Sequence, residues 1–164
     1  MLKLLKVAVA AALVLQPVTG FSGTDPVTTV VDFNKAVTDR DMDAALAELA
    51  EGSVQIQLRA VHPGMSDNPP LTADLITMWK AVAAILFPVS KSYERTAIVT
   101  DENTVGEVAT VWADTTTVTV SNKEGKEPLV ISFSEVYLVV KKDGEWKIAT
   151  IADNRGTDDI AVAE

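Results

Sequence analysis

Cysteine is absent from the 164 residues. That removes thiol catalysis, a cysteine–zinc site and a lipid-anchored N-terminal cysteine. A chain of this length builds a core without disulfides. Histidine occurs once, at His62. With no histidine pair and no compact carboxylate cluster at metal-ligand spacing, neither a metal nor another cofactor is expected. Basic residues are scarce: 14 Lys and Arg stand against 23 Asp and Glu, for a net charge of −9. Such a surface repels nucleic acid and anionic lipid. No G-x-S-x-G, glycine-rich phosphate loop or basic–aromatic patch occurs, which disfavours serine hydrolysis, nucleotide binding and nucleic-acid binding. No N-x-[ST] acceptor occurs either, since Asn68 precedes Pro69.

The chain also lacks an apolar run of the roughly 20 residues that span a bilayer. Its longest, Val7 to Leu15, has nine. Lys3 and Lys6 precede that run, and Val18-Thr19-Gly20 follows it. This is the layout of a secretory signal cleaved after Gly20, with Gly23 as the weaker option, and it predicts a periplasmic or secreted protein. Residues 1–20 are therefore expected to be the signal, 21–156 one domain, and the acidic segment 157–164 a loose tail. Losing Lys3 and Lys6 takes the net charge from −9 to −11. No membrane contact is expected after cleavage.

Asp25-Pro26 predicts a helix start, with Val27, Val30, Val31, Phe33 and Val37 on one side. Thr38 to Asp41 breaks the pattern. Asp41 predicts the cap of a second helix, with Met42, Ala45, Leu46 and Leu49 on one face and Gly52 at its end. Ser53 to Ala60 alternates as a half-buried strand. Val61 to Pro70 reads as a loop. Thr72 predicts the cap of a third helix, which carries Leu75, Met78, Trp79, Val82, Ile85 and Leu86 and stops at Pro88. Strands are expected at about 90–100, 104–121, 127–142 and 145–154. Their turns fall at Asp101-Glu102-Asn103, around Gly125, and at Asp143-Gly144, a strong hairpin signal. Helices first and strands afterwards predict an α+β fold, with a long, bent antiparallel sheet packed on helices.

Three stretches carry a resemblance. They are "DFNKAVTDRDMDAALAELAEGSVQI" from Asp32, "ENTVGEVATVWADTTT" from Glu102, and "FSEVYLVVKKDGEWKIATIADN" from Phe133. In this order they resemble the SnoaL-like group of the nuclear transport factor 2-like superfamily. The resemblance implies a cone: a curved, cystatin-like antiparallel sheet wrapped around N-terminal helices, with a pocket between them. It also implies pairing through the outer sheet face. Relatives include isomerases, cyclases, dehydratases, binders and dimerisation modules, so the scaffold does not name a reaction. Related sequences often carry a histidine and then a serine after the glycine–tryptophan step. Here that strand reads Ala149-Thr150-Ile151-Ala152-Asp153-Asn154, so chemistry based on that histidine is not expected.

The candidate site residues are Trp79, Trp112, Asp114, Glu135 and Tyr137. Glu135 is the one charge in the alternation Leu129, Ile131, Phe133, Glu135, Tyr137, Val139. Inside a cone, such an acid would be desolvated and suited to proton transfer, with Tyr137 as a hydrogen-bond donor. The competing reading pairs Glu135 with Arg95 or Arg59 across the sheet, at a dimer face. Asp114 and Trp112 share a strand face with Val108 and could line a pocket wall. Trp79 and Trp146 fit core positions, with packing as the default. Asp153 and Arg155 end the last strand and are read as facing water. His62 reads as a loop residue near the pocket mouth. The expected function is an exported, non-catalytic domain that binds a small apolar ligand or a protein partner. The alternative is an isomerase or dehydratase using Glu135 or Asp114 with Tyr137 or His62. Val136, Leu138 and Val140, beside Val118 and Val120, predict a homodimer through the sheet.

Overall fold

A computed structural model describes residues 23–57, 72–155 and 160–162. The signal segment, Arg59 and His62 lie outside these residues. Helix α1 spans Pro26–Thr38, α2 Met42–Ala47 and α3 Leu75–Leu86, the last running into a 3-10 turn over Phe87–Val89. Each helix starts on an aspartate that accepts from a backbone N–H of the first turn. Asp25 accepts from Thr28 at 2.9 Å, Asp41 from Ala44 at 3.0 Å, and Asp74 from Thr77 at 2.6 Å. Those bonds satisfy donors that the helix cannot, and they hold the carboxyls of Asp25 and Asp74 below their ordinary range. Asp74, rather than the expected Thr72, caps α3, because Thr72–Asp74 is itself a short strand.

The strands are β1 Leu49–Gln57, β2 Thr72–Asp74, β3 Ser90–Val105, β4 Val108–Ser121, β5 Leu129–Lys142, β6 Glu145–Asp153 and β7 Ile160–Val162. They form one sheet in the order β2-β1-β6-β5-β4-β3. From β3 to β6 the sheet is an antiparallel meander, whereas β1 runs parallel to β6. The fold is α+β, as expected, and the helices line the inner side of the sheet. Phe33 of α1 meets Trp79 of α3 edge-on at 5.4 Å, above a core that includes Val111, Val139, Ile148 and Ile151.

Several boundaries differ from the sequence reading. The second helix stops at Ala47, and Gly52 lies inside β1 instead of ending a helix. With φ of +74°, Gly52 sits where the pairing of β1 with β6 shifts between Leu49 and Val54, a bulge that favours glycine. Asp101, Glu102 and Asn103 stay paired in β3, and the turn comes at Gly106-Glu107. The 157–164 segment was expected to be loose, yet Ile160–Val162 pairs with Leu129–Ile131. The start of β5 has no β6 partner beyond Glu135, so its edge is open to β7. The Asp143-Gly144 hairpin is as read, with φ of +54° and +89° in succession.

Strand β3 is an edge of the sheet, and α1 lies against it. The Thr38 hydroxyl accepts from the Arg95 N–H at 2.8 Å and donates to the Arg95 carbonyl at 3.1 Å.

Candidate functional site

Antiparallel register sorts the strand residues by face. On β4, Ala109, Val111, Ala113, Thr115 and Thr117 are buried. On β5 the inward set is Phe133, Glu135, Tyr137 and Val139. Cross-strand rows follow directly. Ala113 stands opposite Glu135, and Glu135 opposite Asp153; Val111 stands opposite Tyr137, and Tyr137 opposite Ile151. Two carboxylates thus sit directly across from each other on the inner face, each 2% exposed.

Two arginines accompany them. The small inward residues of β4 leave the Arg95 side chain, from β3, free to reach β5. Its Nη2 lies 2.5 Å from each oxygen of Glu135 and 3.3 Å from the Tyr137 hydroxyl. Arg95 Nε donates to Asn34 Oδ1 at 2.6 Å. Asn34, on α1, donates to the Val30 carbonyl at 2.7 Å and to the Tyr137 hydroxyl at 3.2 Å. Glu135 Oε2 also accepts from Thr115 at 2.7 Å and from Tyr137 at 2.6 Å. The carboxylate thereby ties β3, β4 and β5, and Asn34 joins α1 to Arg95 and Tyr137. Burial is the largest influence on Arg95 and works against its charge, but the Glu135 carboxylate, with smaller contributions from Tyr137 and Tyr93, outweighs it and raises the guanidinium pKa further. Burial, and then the neighbouring Glu135 charge, push the Tyr137 hydroxyl well above the ordinary tyrosine range. Tyr137 is therefore a permanent donor, never a phenolate, at physiological pH.

The second pair is looser. Asp153 accepts from Gln55 Nε2 at 2.8 Å and from the Arg155 backbone N–H at 3.1 Å, while Arg155 Nη2 stands 3.4 Å away. Burial raises the pKa of this carboxyl; Arg155 opposes the shift and the Glu135 charge adds to it. An aromatic row links the two pairs. The Arg95 guanidinium carbon is 5.4 Å from the centre of the Trp79 ring and 5.6 Å from that of Phe133. The Arg155 carbon is 4.8 Å from the Phe133 centre, within cation–π range.

Three of the five candidate residues, Trp79, Glu135 and Tyr137, come together here. Trp112 and Asp114 point the other way. Trp112 is 48% exposed on the outer face, and Asp114 accepts there from the Ser134 hydroxyl at 3.0 Å. Both readings of Glu135 hold in part: it is inside, and its partner is Arg95, but the pairing is within the cone and not at an outer surface. Asp153, read as water-facing, is buried. The pairing of β5 with β6 shifts between Leu138 and Val139, opposite Ala149. That shift reverses which residues of β6 face inward, from Trp146 and Ile148 to Ile151 and Asp153. Asn34, Gln55 and Thr115 were missed as well. For Asn34 a signal existed: it is an amide beside Val30, Phe33 and Val37 on the buried stripe of α1, which Thr29 also shares.

Among the described residues, no group of three or more Asp, Glu or His side chains could hold a metal. Nor is any described helix long and apolar enough to cross a membrane.

No protein-family model matches the sequence, and comparison with curated proteins gives no match. Solved structures do match. A ketosteroid isomerase-like protein from Erwinia carotovora atroseptica superposes with a TM-score of 0.60 at 16% identity, covering 79% of this chain and 92% of that one. A hexachlorocyclohexane dehydrochlorinase, LinA-type3, from Novosphingobium barchaimii gives 0.59 at 12% identity, over 77% and 80%. An NTF2-like protein from Pseudomonas putida gives 0.54 at 12% identity, over 78% and 82%. At such identities the likeness concerns architecture. A curved sheet wrapped around inward helices, its antiparallel meander from β3 to β6 and these neighbours together show that the chain has the nuclear transport factor 2-like fold.

Proposed function

We propose that the protein is an exported, non-catalytic domain that binds a small, largely apolar ligand at the open end of its cone. The observation that carries this reading is the engagement of Glu135. Oε1 receives Arg95, and Oε2 receives Arg95, Thr115 and Tyr137. This carboxylate is 2% exposed and serves as the counter-ion of a buried arginine, whereas a general base has to come within hydrogen-bond reach of its substrate. Two of the fold neighbours are named as a ketosteroid isomerase-like protein and a dehydrochlorinase. Activities of that kind need a carboxylate or imidazole free to move a proton. In this interior the network spends Glu135 on holding β3, β4 and β5 together.

Mass spectrometry of small molecules released from the purified, denatured protein tests the binding reading. A stoichiometric apolar compound is expected; protein that is empty and remains unaffected by apolar probes would overturn it. Export rests on Lys3, Lys6 and the Val7–Leu15 run. Intact mass of protein recovered from outside the cytoplasm should begin at Phe21, and an exported species retaining Met1 would refute export.

A second reading, proton transfer, is favoured by one observation: Asp153 is buried with its pKa raised, as suits a proton carrier. Under that reading Asp153, and not Glu135, is the acid–base group. Exchange of an acidic C–H for deuterium in a bound ketone, lost in Asp153→Asn, would establish it.

A further inference from the structure

Away from the Glu135 network, one more carboxyl is buried without a counter-ion. Glu48 follows α2, and its carbonyl accepts from the Ile148 N–H at 2.8 Å. The residue is 4% exposed, and its Oε2 has no hydrogen-bond partner. Acidic side chains are almost never buried unless paired. The cations nearest in the fold are committed elsewhere. Lys147 Nζ bonds the Ala47 carbonyl at 2.9 Å and Glu145 at 3.0 Å, and Lys35 pairs with Asp39. Burial raises the Glu48 pKa; Lys147 and the Gly23 backbone N–H oppose the shift, and the Asp32 and Glu145 charges add to it.

That Gly23 N–H locates the start of the chain. It lies beside the Glu48 carboxyl. Gly23 is buried, and a Cβ there would overlap Thr29 in the first turn of α1. The segment entering α1 is thus pressed between that helix and Glu48. Phe21 stands two residues before it, and two residues reach at most about 7 Å.

We propose that signal removal completes the fold: the α-ammonium group created at Phe21 becomes the counter-ion of Glu48; the inference rests on the export reading above.

Hydrolysis of the Gly20–Phe21 bond consumes one water, leaves a carboxylate on the departing Gly20 and an ammonium on Phe21. An α-amino group titrates at about 7.7–8.0, so it is charged at neutral pH. Before cleavage the same nitrogen is a neutral amide. Being tethered beside Glu48, the ammonium needs no path from solvent to a buried oxygen. An opposite charge at this range favours the ionised carboxylate that burial opposes. Cleavage after Gly23 would instead remove the N–H beside Glu48 and start the chain at Thr24, which is exposed.

The test uses protein recovered after export, its start read by intact mass and its α-amino group titrated by 15N NMR. A start at Phe21 is expected, with an α-amino pKa raised by about one unit or more. Glu48→Gln should return that pKa to the ordinary range. A short glycine–serine extension before Phe21, behind the same signal, should lower the folding equilibrium constant about tenfold in the parent, as loss of a charged hydrogen bond does. The same extension should leave Glu48→Gln unchanged. The extension alters no core residue, so the comparison within the parent holds even where Glu48→Gln folds poorly. An ordinary α-amino pKa at Phe21, an extension without effect, or a start at Thr24 overturns the inference and leaves export standing. A species that retains Met1 overturns both.

Discussion

On the inner face of β5, Glu135 and Tyr137 are buried among Arg95, Thr115 and Asn34. On the outer face of the same strand, Val136, Leu138 and Val140 are only half-buried, and Trp112 beside Val136 is 48% exposed. Charge is inside and apolar surface is outside. For part of its length the sheet inverts the usual order. The two faces teach different things. Inside, Glu135, Arg95, Tyr137 and Asn34 have partners at short range, and Asn34 fixes how α1 sits on the sheet. Outside, Trp112, Val108 and the β5 valines form a stripe that water does not favour, and contiguous apolar patches of this kind mark interfaces. We propose that this stripe pairs two copies of the chain.

Removing one member of the inner pair tests the contrast most severely. Glu135→Ala strips Arg95 of its counter-charge while leaving it buried, and should cost about 3–5 kcal/mol in chemical denaturation. The double change Arg95→Met, Glu135→Leu should recover most of that loss, because desolvation then no longer opposes folding. A loss below about 1 kcal/mol for the single variant would show that the pair does not organise the interior.

Tyr137→Phe removes one donor to Glu135 and leaves the ring in place. A loss of about 1–3 kcal/mol is expected, again by denaturation. On the outer face, Trp112→Glu should change assembly: light scattering at micromolar concentration should show dimer for the parent and monomer for the variant. A monomeric parent would remove the interface. Asp114→Ala should be nearly silent, within about 0.5 kcal/mol, since its bond to Ser134 is exposed.

The smallest effect sought is a slope. Burial raises the Asp153 pKa in the folded chain. Between the ordinary carboxylate value and that raised value, the folded state binds more protons than the unfolded state, so stability falls as pH rises. Below the ordinary value the effect is absent, and above the raised value the loss is complete. Asp153→Asn should remove this segment of the pH–stability curve.

The sequence conveyed the order of elements well because its cues were local. Asp25-Pro26, Asp41 and Asp143-Gly144 each act within a few residues, and each is seen where expected. It misled where a register shift intervened. Alternation along β6 runs correctly to Ile148 and then changes parity, so Asp153 looked exposed and is buried. The same applies to Gly52, whose left-handed backbone serves a bulge as readily as a helix end. Glu135 stood out as a lone charge in an apolar alternation. Its partners across the sheet come from β3 and β4, and only the fold could bring those together. Trp112 and Asp114 were correctly read as sharing a face, but alternation alone does not say which face is inside.

The hydroxyl of Thr38 also bears on how crowded molecules behave. The edge of a sheet is where a strand of another molecule adds, by matching free N–H and carbonyl groups. On β3 both backbone groups of Arg95 are already engaged by Thr38. An incoming strand would have to displace helix α1 to proceed past that point. One hydroxyl thus interrupts the template from which fibrous growth along β3 would start, and Thr38→Val removes that block while keeping the side chain's shape.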